Sequence, residues 1–405
     1  MTSTAKPALV RGRALTFVGI ALAALGLRSA ATAVSPILRS IEVNVSFQPS
    51  DLTLLGMLAP LAFAIFGAIT PAISRRLGLE AVMVIALIIL GGGEIARALT
   101  NAPAAFLIFS FVSMAGTGSV NVLLPPMVKK YFGNRIPTMS VVYLFLAVLG
   151  TVIPAYLASP LATSADWRVS ISAWGYIALV AALPWLAVMI RDRGGRGEQT
   201  TTVTDPEVTK RVWRSPAAWA ITVAFGIAAF NCYIMWQWMP TMLHERAHLD
   251  EASGGLMLAI YSAVALPNSI IGTMIVARAK SMVWPSLYGM FVLIIGALGF
   301  WFFPTTLPWL WVIFSGLGVI FFTIGLVLIN LRTSTQAGAV ALSGMVQGVG
   351  YLIGAIGPLL VGLAHGTSGN SDIDFVIIIA SALVGIFPLV ILRKKVMVDE
   401  PRALK

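Results

Sequence analysis

Arg28 stands inside an apolar run that begins near residue 14. At about 1.5 Å per residue it lies roughly 21 Å into a helix, near the middle of a ~30 Å hydrocarbon core. A charge at that depth costs at least about 2.5–3.5 kcal/mol, so the guanidinium must face a cavity or a partner. Its planar fork of donors suits an anion or an electron-rich polar group. A structural ion pair, or bonds to backbone carbonyls, would hold it equally well. No carboxylate is expected at the same depth, which leaves backbone, polar side chains, water or a ligand as its partner. Glu94 and Arg97 are spaced i,i+3 on another apolar helix and so share a face. They read as a structural salt bridge near the outer membrane interface. The alternative makes Glu94, the one acidic residue expected inside a span, a carrier of protons.

A third group lies farther along. Tyr233, Trp236, Gln237 and Pro240 follow i, i+3, i+4, i+7 and form one helix face, with Asn231 and Trp238 close by. Such a face can stack on and hydrogen-bond a small planar or polar ligand; an interfacial aromatic belt would use the same residue types. Tyr143 and Gln347 stand 204 residues apart, and Tyr351 is the i+4 partner of Gln347. These two and Asn121, one turn from Thr117, could contact a ligand or serve as polar glue between helices. Gly344, Gly348, Gly350, Gly354 and Gly357 crowd one run, which permits close helix packing or a hinge. The chain has no phosphate-binding glycine loop, nucleophile elbow or cluster of metal ligands. Its three histidines, His244, His248 and His365, fall in outer loops or span ends. No catalytic residue, metal or cofactor is expected.

The elements that carry these groups follow from hydropathy. Of the 405 residues 58% are hydrophobic and 11% charged, too little charge for a soluble chain of this length. The apolar runs are about 20 residues long, the length of a membrane helix. Backbone groups in lipid must bond within their own segment, so each run is expected to be a helix. Twelve spans are predicted, near 14–38, 53–73, 80–98, 104–127, 136–158, 169–190, 216–240, 254–277, 282–303, 308–331, 339–362 and 374–392. With the N-terminus inside, 22 of the 27 Lys and Arg fall on the cytoplasmic side, which predicts both termini cytoplasmic. The net charge of +11 is thus a matter of topology, not of nucleic-acid binding. Cys232, the single cysteine, lies inside an apolar run and excludes an internal disulfide framework.

Residues 191–215 are Gly/Thr-rich and charged, and are expected to be an unpacked cytoplasmic linker between two halves, 1–190 and 216–405. Pro36 and Pro240, Pro154 and Pro358, and Pro184 and Pro388 all share the 204-residue offset. The halves therefore read as parallel six-span repeats.

Several short motifs resemble the major facilitator superfamily, and within it the cyanate and 2-nitroimidazole porter family. They are Leu27-Arg28 with Ser35-Pro36, Leu124-Pro125 with Lys129-Lys130-Tyr131-Phe132, Asp166-Trp167-Arg168, and Gly350-Tyr351 with Gly357-Pro358 and Gly362. Gly26 and Ser29 stand where that family has Asn and Pro. Arg76-Leu77-Gly78 fits the superfamily's loop between spans two and three, with Arg75 in its Asp position. The resemblance implies an all-α membrane protein of a bacterial inner membrane, with twelve helices in two pseudo-symmetric bundles. It also implies a monomeric transporter that works by alternating access on a small anionic or planar polar solute. Protons are a candidate coupling ion. A multidrug exporter of the same fold is the alternative; a non-transporting membrane receptor is a second, from another class.

Overall fold

The computed structural model describes residues 8–132, 135–191, 205–368 and 372–400; side chains of 8–13, 136–137 and 366–368 are not described. Among the described residues twelve helices are long and apolar enough to cross a membrane. They are Ala14–Thr32, Pro49–Leu77, Leu79–Ala98, Pro103–Phe132, Thr138–Ser164, Trp167–Arg191, Pro216–Ala247, Glu251–Arg278, Val283–Phe302, Pro308–Leu331, Gln336–His365 and Asp372–Ile391, numbered here as spans one to twelve. Among the described residues there is no strand. Many of the exposed side chains are large and apolar, among them Ile108, Leu144, Leu183, Ile270, Ile271 and Phe291. A surface of that kind suits lipid, not water.

The chain divides into two compact units, Met1–Ser46 with Ile65–Gln199, and Phe47–Ala64 with Thr200–Lys405. In the first, span three is the central element, packed against spans four and six. Gly91 and Gly175 permit this: a Cβ on either would collide with the other's carbonyl. In the second unit, span seven is buried along nearly its whole length from Ala217 to Leu243 and packs most extensively on span eleven. Gly350, Gly354 and Gly357 face Phe225, Ala229 and Phe230 of span seven, whereas a Cβ on Gly344 or Gly348 would meet nothing. Three of the five glycines are therefore packing residues.

Span boundaries differ from expectation in two ways. Several helices run beyond the apolar core, because a helix can continue into the polar zone once capped: Asp250 accepts from the Ser253 amide (2.9 Å) ahead of span eight. Others are interrupted. Span one is helical over Ala8–Leu25, breaks, and resumes as the short pieces Ser29–Thr32, Ser35–Ile37 and Leu38–Glu42. Span ten breaks after Leu317 and span twelve after Leu383.

The unpacked linker needs correction. Residues 192–204 lie outside the described residues, but Pro206–Arg214 is a helix capped by Asp205, which accepts from the Glu207 amide (2.9 Å). Val208 and Val212, one turn apart, are buried. An apolar stripe on a charged helix is enough to dock it.

That helix meets a strap made by the C-terminal tail. The Val398 amide donates to the Arg332 carbonyl (2.9 Å), and Arg332 donates to the Lys394 carbonyl (3.1 Å). Asp399 accepts from the amides of Ser334 (3.0 Å) and Thr335 (2.8 Å) and from both hydroxyls, while Arg211 of the linker helix donates to its carbonyl (3.2 Å). A tail carboxylate thus sits at the N-terminus of span eleven, where free amides and the helix dipole favour an anion. Burial alone would raise the Asp399 pKa; the Ser334 and Thr335 donors outweigh it and hold it below the ordinary value. A group depressed in this way stabilises the fold above its unfolded pKa of about 3.9, and loses that contribution as pH falls through its lower folded value. Asp399→Ala should remove about 1.5–3 kcal/mol of charged hydrogen bonding. The expected result is a lower melting temperature for the purified variant at neutral pH, with the gap to wild type closing in strong acid.

Candidate functional site

In the first unit the residues of interest gather at the break in span one. After Gly26 the i,i+4 ladder lapses, and Arg28 has φ −130° and ψ 2°, outside the helical region. The Arg28 carbonyl accepts from the Ala31 (3.1 Å) and Thr32 (3.2 Å) amides and from the Thr32 hydroxyl (3.0 Å). The Ala30 carbonyl, freed by the break, accepts from Arg97 Nη1 at 2.9 Å. The Ser29 hydroxyl donates to Glu94 Oε1 at 3.0 Å. Gly150 of span five abuts the Leu25 carbonyl so closely that a Cβ there would overlap it.

Glu94 and Arg97 are 0% exposed, with 3.7 Å between Glu94 Oε1 and Arg97 Nη2. One expectation changes here. Glu94 is buried inside the unit and accepts from Ser29, the neighbour of Arg28. A carboxylate therefore does stand at the depth of Arg28. The sequence could not show this, because Ser29 and Glu94 are 65 residues apart. Spans one and three thus bring Glu94 and Arg97 to the break that begins at Arg28. Arg28 itself is half-buried, as are Asn121 and Tyr143 in spans four and five.

The other quoted motifs of this unit have packing roles. Trp167 Nε1 donates to Asn44 (2.8 Å), and the Arg168 guanidinium lies 4.3 Å from the Trp167 ring centre. Lys130 (2.5 Å) and Tyr131 (2.6 Å) both donate to Glu80 Oε1, joining the ends of spans three and four beside the loop where Arg75 replaces Asp.

In the second unit an aromatic cluster forms on spans seven and eleven. Tyr233 meets Trp236 (5.4 Å between ring centres) and Tyr351 (6.4 Å), and Tyr351 meets Phe225 (5.2 Å). Phe63 of span two joins at 5.3 Å from Tyr351 and 6.3 Å from Tyr233. Phe63 carries no sequence signal, since an aromatic in an apolar run reads as lipid-facing. Gln237 is buried, and its Nε2 has no hydrogen-bond partner among the described residues, an arrangement that suits an acceptor on a ligand. Gln347 donates to Ser343 (2.9 Å) on its own helix. Asn231 points elsewhere: its Nδ2 donates to the Ile227 carbonyl (2.9 Å) and to Ser381 of span twelve (2.9 Å). Trp238 stacks on His365, 4.9 Å between ring centres.

The buried pair sets a measurable expectation. Removing one member of a buried ion pair costs about 3–5 kcal/mol, because the other charge is left uncompensated. Arg97→Gln should sharply lower the melting temperature. Glu94→Gln should cost less, since the amide still accepts from Ser29. The double variant should be more stable than Arg97→Gln alone, a coupling that a double-mutant cycle measures.

Comparison with known proteins agrees with this architecture. The model of the Major Facilitator Superfamily matches residues 16–362. The chain is 29% identical over 392 residues to the 2-nitroimidazole transporter of Escherichia coli (strain K12), covering 95% of this chain and 97% of that one. It is 24% identical over 361 residues to the cyanate transport protein CynX of the same organism, covering 88% and 91%. Among solved structures, a bacterial homologue of the human lysosomal transporter Spinster superposes with a TM-score of 0.78 over 97% of this chain and 100% of that one, at 14% identity. The D-xylose-proton symporter does so with 0.69 over 96% and 99%, also at 14% identity. At that identity the structures speak for the fold alone. With twelve apolar helices and a family match across most of its length, this multi-pass membrane chain belongs to the Major Facilitator Superfamily.

Proposed function

We propose that this transporter carries a small anionic or planar, electron-rich solute by alternating access, with Arg28 as its anchor. The observation that carries the proposal is the break in span one at Arg28. Interrupted helices expose backbone groups at membrane depth, and they do so where a site is built. A guanidinium within a membrane span favours an anion, and low dielectric strengthens the attraction. The two relatives named for cyanate and 2-nitroimidazole transport support a small solute of this kind. Within the second unit, Tyr233, Gln237 and Tyr351 offer a stacking face and an amide donor suited to a planar polar group. The aromatic cluster around Phe63 favours a second reading, export of varied hydrophobic compounds. Competition by many unrelated drugs would select that one.

Cyanate, nitrate and 2-nitroimidazole serve as probes for thermal stabilisation of purified wild type, Arg28→Lys and Arg28→Ala. Loss of a charge-assisted bond costs about 1.5–3 kcal/mol, roughly ten- to a hundredfold in affinity. Arg28→Lys keeps the charge but not the fork and should also be weakened. Equal stabilisation of Arg28→Ala at the same half-maximal concentration would make Arg28 a structural residue.

The charge distribution supports cytoplasmic termini in a bacterial inner membrane. Cys232 is buried, so it leaves a low labelling background. Thr200→Cys should react with an impermeant thiol reagent from the cytoplasmic side only, and Ser371→Cys from the opposite side only. Labelling of both from one face would reject this topology.

A further inference from the structure

At the ends of spans seven, eleven and twelve remote from the linker, five ionisable side chains meet. Arg246 of span seven pairs with Asp372 of span twelve, and its guanidinium lies 5.3 Å from the Phe375 ring centre. His365 of span eleven places Nε2 3.5 Å from Asp374 Oδ2 and 3.7 Å from Glu245 Oε2. Its Nδ1 lies 3.1 Å from the Val361 carbonyl, and its ring is stacked nearly parallel to Trp238, at 7°. Asp374 is 0% exposed, and neither of its oxygens accepts a hydrogen bond among the described residues.

The hydrogen-bonding chemistry of this arrangement is incomplete without one more proton. A carbonyl only accepts, so Nδ1 beside Val361 must carry a hydrogen. In a neutral ring Nε2 is then a lone pair aimed at two carboxylates, and buried Asp374 has no donor. An uncompensated buried carboxylate is costly. Protonating Nε2 turns it into a donor toward both Asp374 and Glu245 and supplies a cation to each. The charge count points the same way. Three carboxylates face one guanidinium, and that guanidinium is engaged by Asp372. A metal ion would be another way to add charge, but no group of ligands able to hold one occurs among the described residues.

We propose that His365, Asp374 and Glu245 form a proton-binding site, in which the doubly protonated imidazole of His365 bridges the two carboxylates and ties the ends of spans seven, eleven and twelve together. Trp238 fixes the plane of the ring, and Arg246 with Asp372 closes the site on its other side. Loss of the proton leaves like charges facing one another across the three helix ends. On the topology proposed above this is the outer face, so external pH would set the occupancy. The site is separate from Arg28 and belongs to the other compact unit.

The test needs no substrate. The chain has three histidines, His244, His248 and His365, so ring-15N-labelled protein in micelles gives a simple spectrum, and His365→Gln assigns the resonance. An ordinary imidazole, with pKa about 6.5, is neutral at about pH 8. The expected result is a doubly protonated His365 ring at that pH, with Asp374→Asn returning His365 to the neutral form. Glu245→Gln should weaken proton retention in the same direction and decides the matter if Asp374→Asn does not fold. A neutral His365 in the wild type at that pH would overturn the proposal. So would a charged ring whose state ignores removal of the neighbouring carboxylates.

Discussion

Inside a bilayer a backbone amide or carbonyl has no water to bond, and this governs where the chain can depart from a helix. The break in span one is tolerable because span three brings replacements to it. Arg97 donates to the Ala30 carbonyl, and Glu94 takes the Ser29 hydroxyl. The pair itself is loosely matched, since Glu94 Oε2 and Arg97 Nε have no hydrogen-bond partner among the described residues. Buried ion pairs of this quality seldom add net stability over an apolar filling. What this one secures is position: it holds Ser29 and Ala30, the two residues that follow Arg28, at a fixed place. The glycine contacts of span three with span six bring the pair deep enough to do so.

The two units solve the problem of polar groups in lipid differently. The first concentrates charge at one interrupted helix. The second keeps its longest helix whole and lines it with rings, so that Tyr233, Trp236, Tyr351, Phe225 and Phe63 give an environment of mixed apolar faces and polar edges. Its charges are placed at helix ends, where Asp374 and His365 meet on one side and Asp399 caps span eleven on the other. Interior polarity in that unit is mostly hydroxyl and amide, as in Thr222, Ser315, Asn231 and Gln237, groups that carry no charge.

Hydropathy made the twelve spans legible, because a bilayer imposes one length on every crossing helix. Arg28 was legible for the same reason: a lone guanidinium in an apolar run cannot be indifferent to its depth. The contacts that complete each site were not. Ser29 and Glu94, or Phe63 and Tyr351, come together through tertiary packing, and neither pair has a periodicity in the chain. Asn231 stands two residues from Tyr233 in the chain, yet the helix turns it toward Ser381. His365 and Asp374 read as residues of an outer loop and a helix start, because their burial depends on three helix ends converging. The linker helix is a different failure. Asp205-Pro206-Glu207 followed by Val208 and Val212 is a helix-start pattern with an apolar stripe, masked by the charge around it.

The strap formed by the tail has a bearing on biogenesis. Span eleven begins at a set of amides whose acceptor, Asp399, lies 65 residues from Ser334 and close to the end of the chain. A nascent polypeptide leaves the ribosome from its N-terminus, so span eleven enters the membrane before its cap has been synthesised. The linker helix is made far earlier, and it too awaits Asp399 as a partner for Arg211. These contacts of the second unit therefore close only after Asp399 has been synthesised. A chain cut just before Asp399 would hold every membrane span and still lack the clasp.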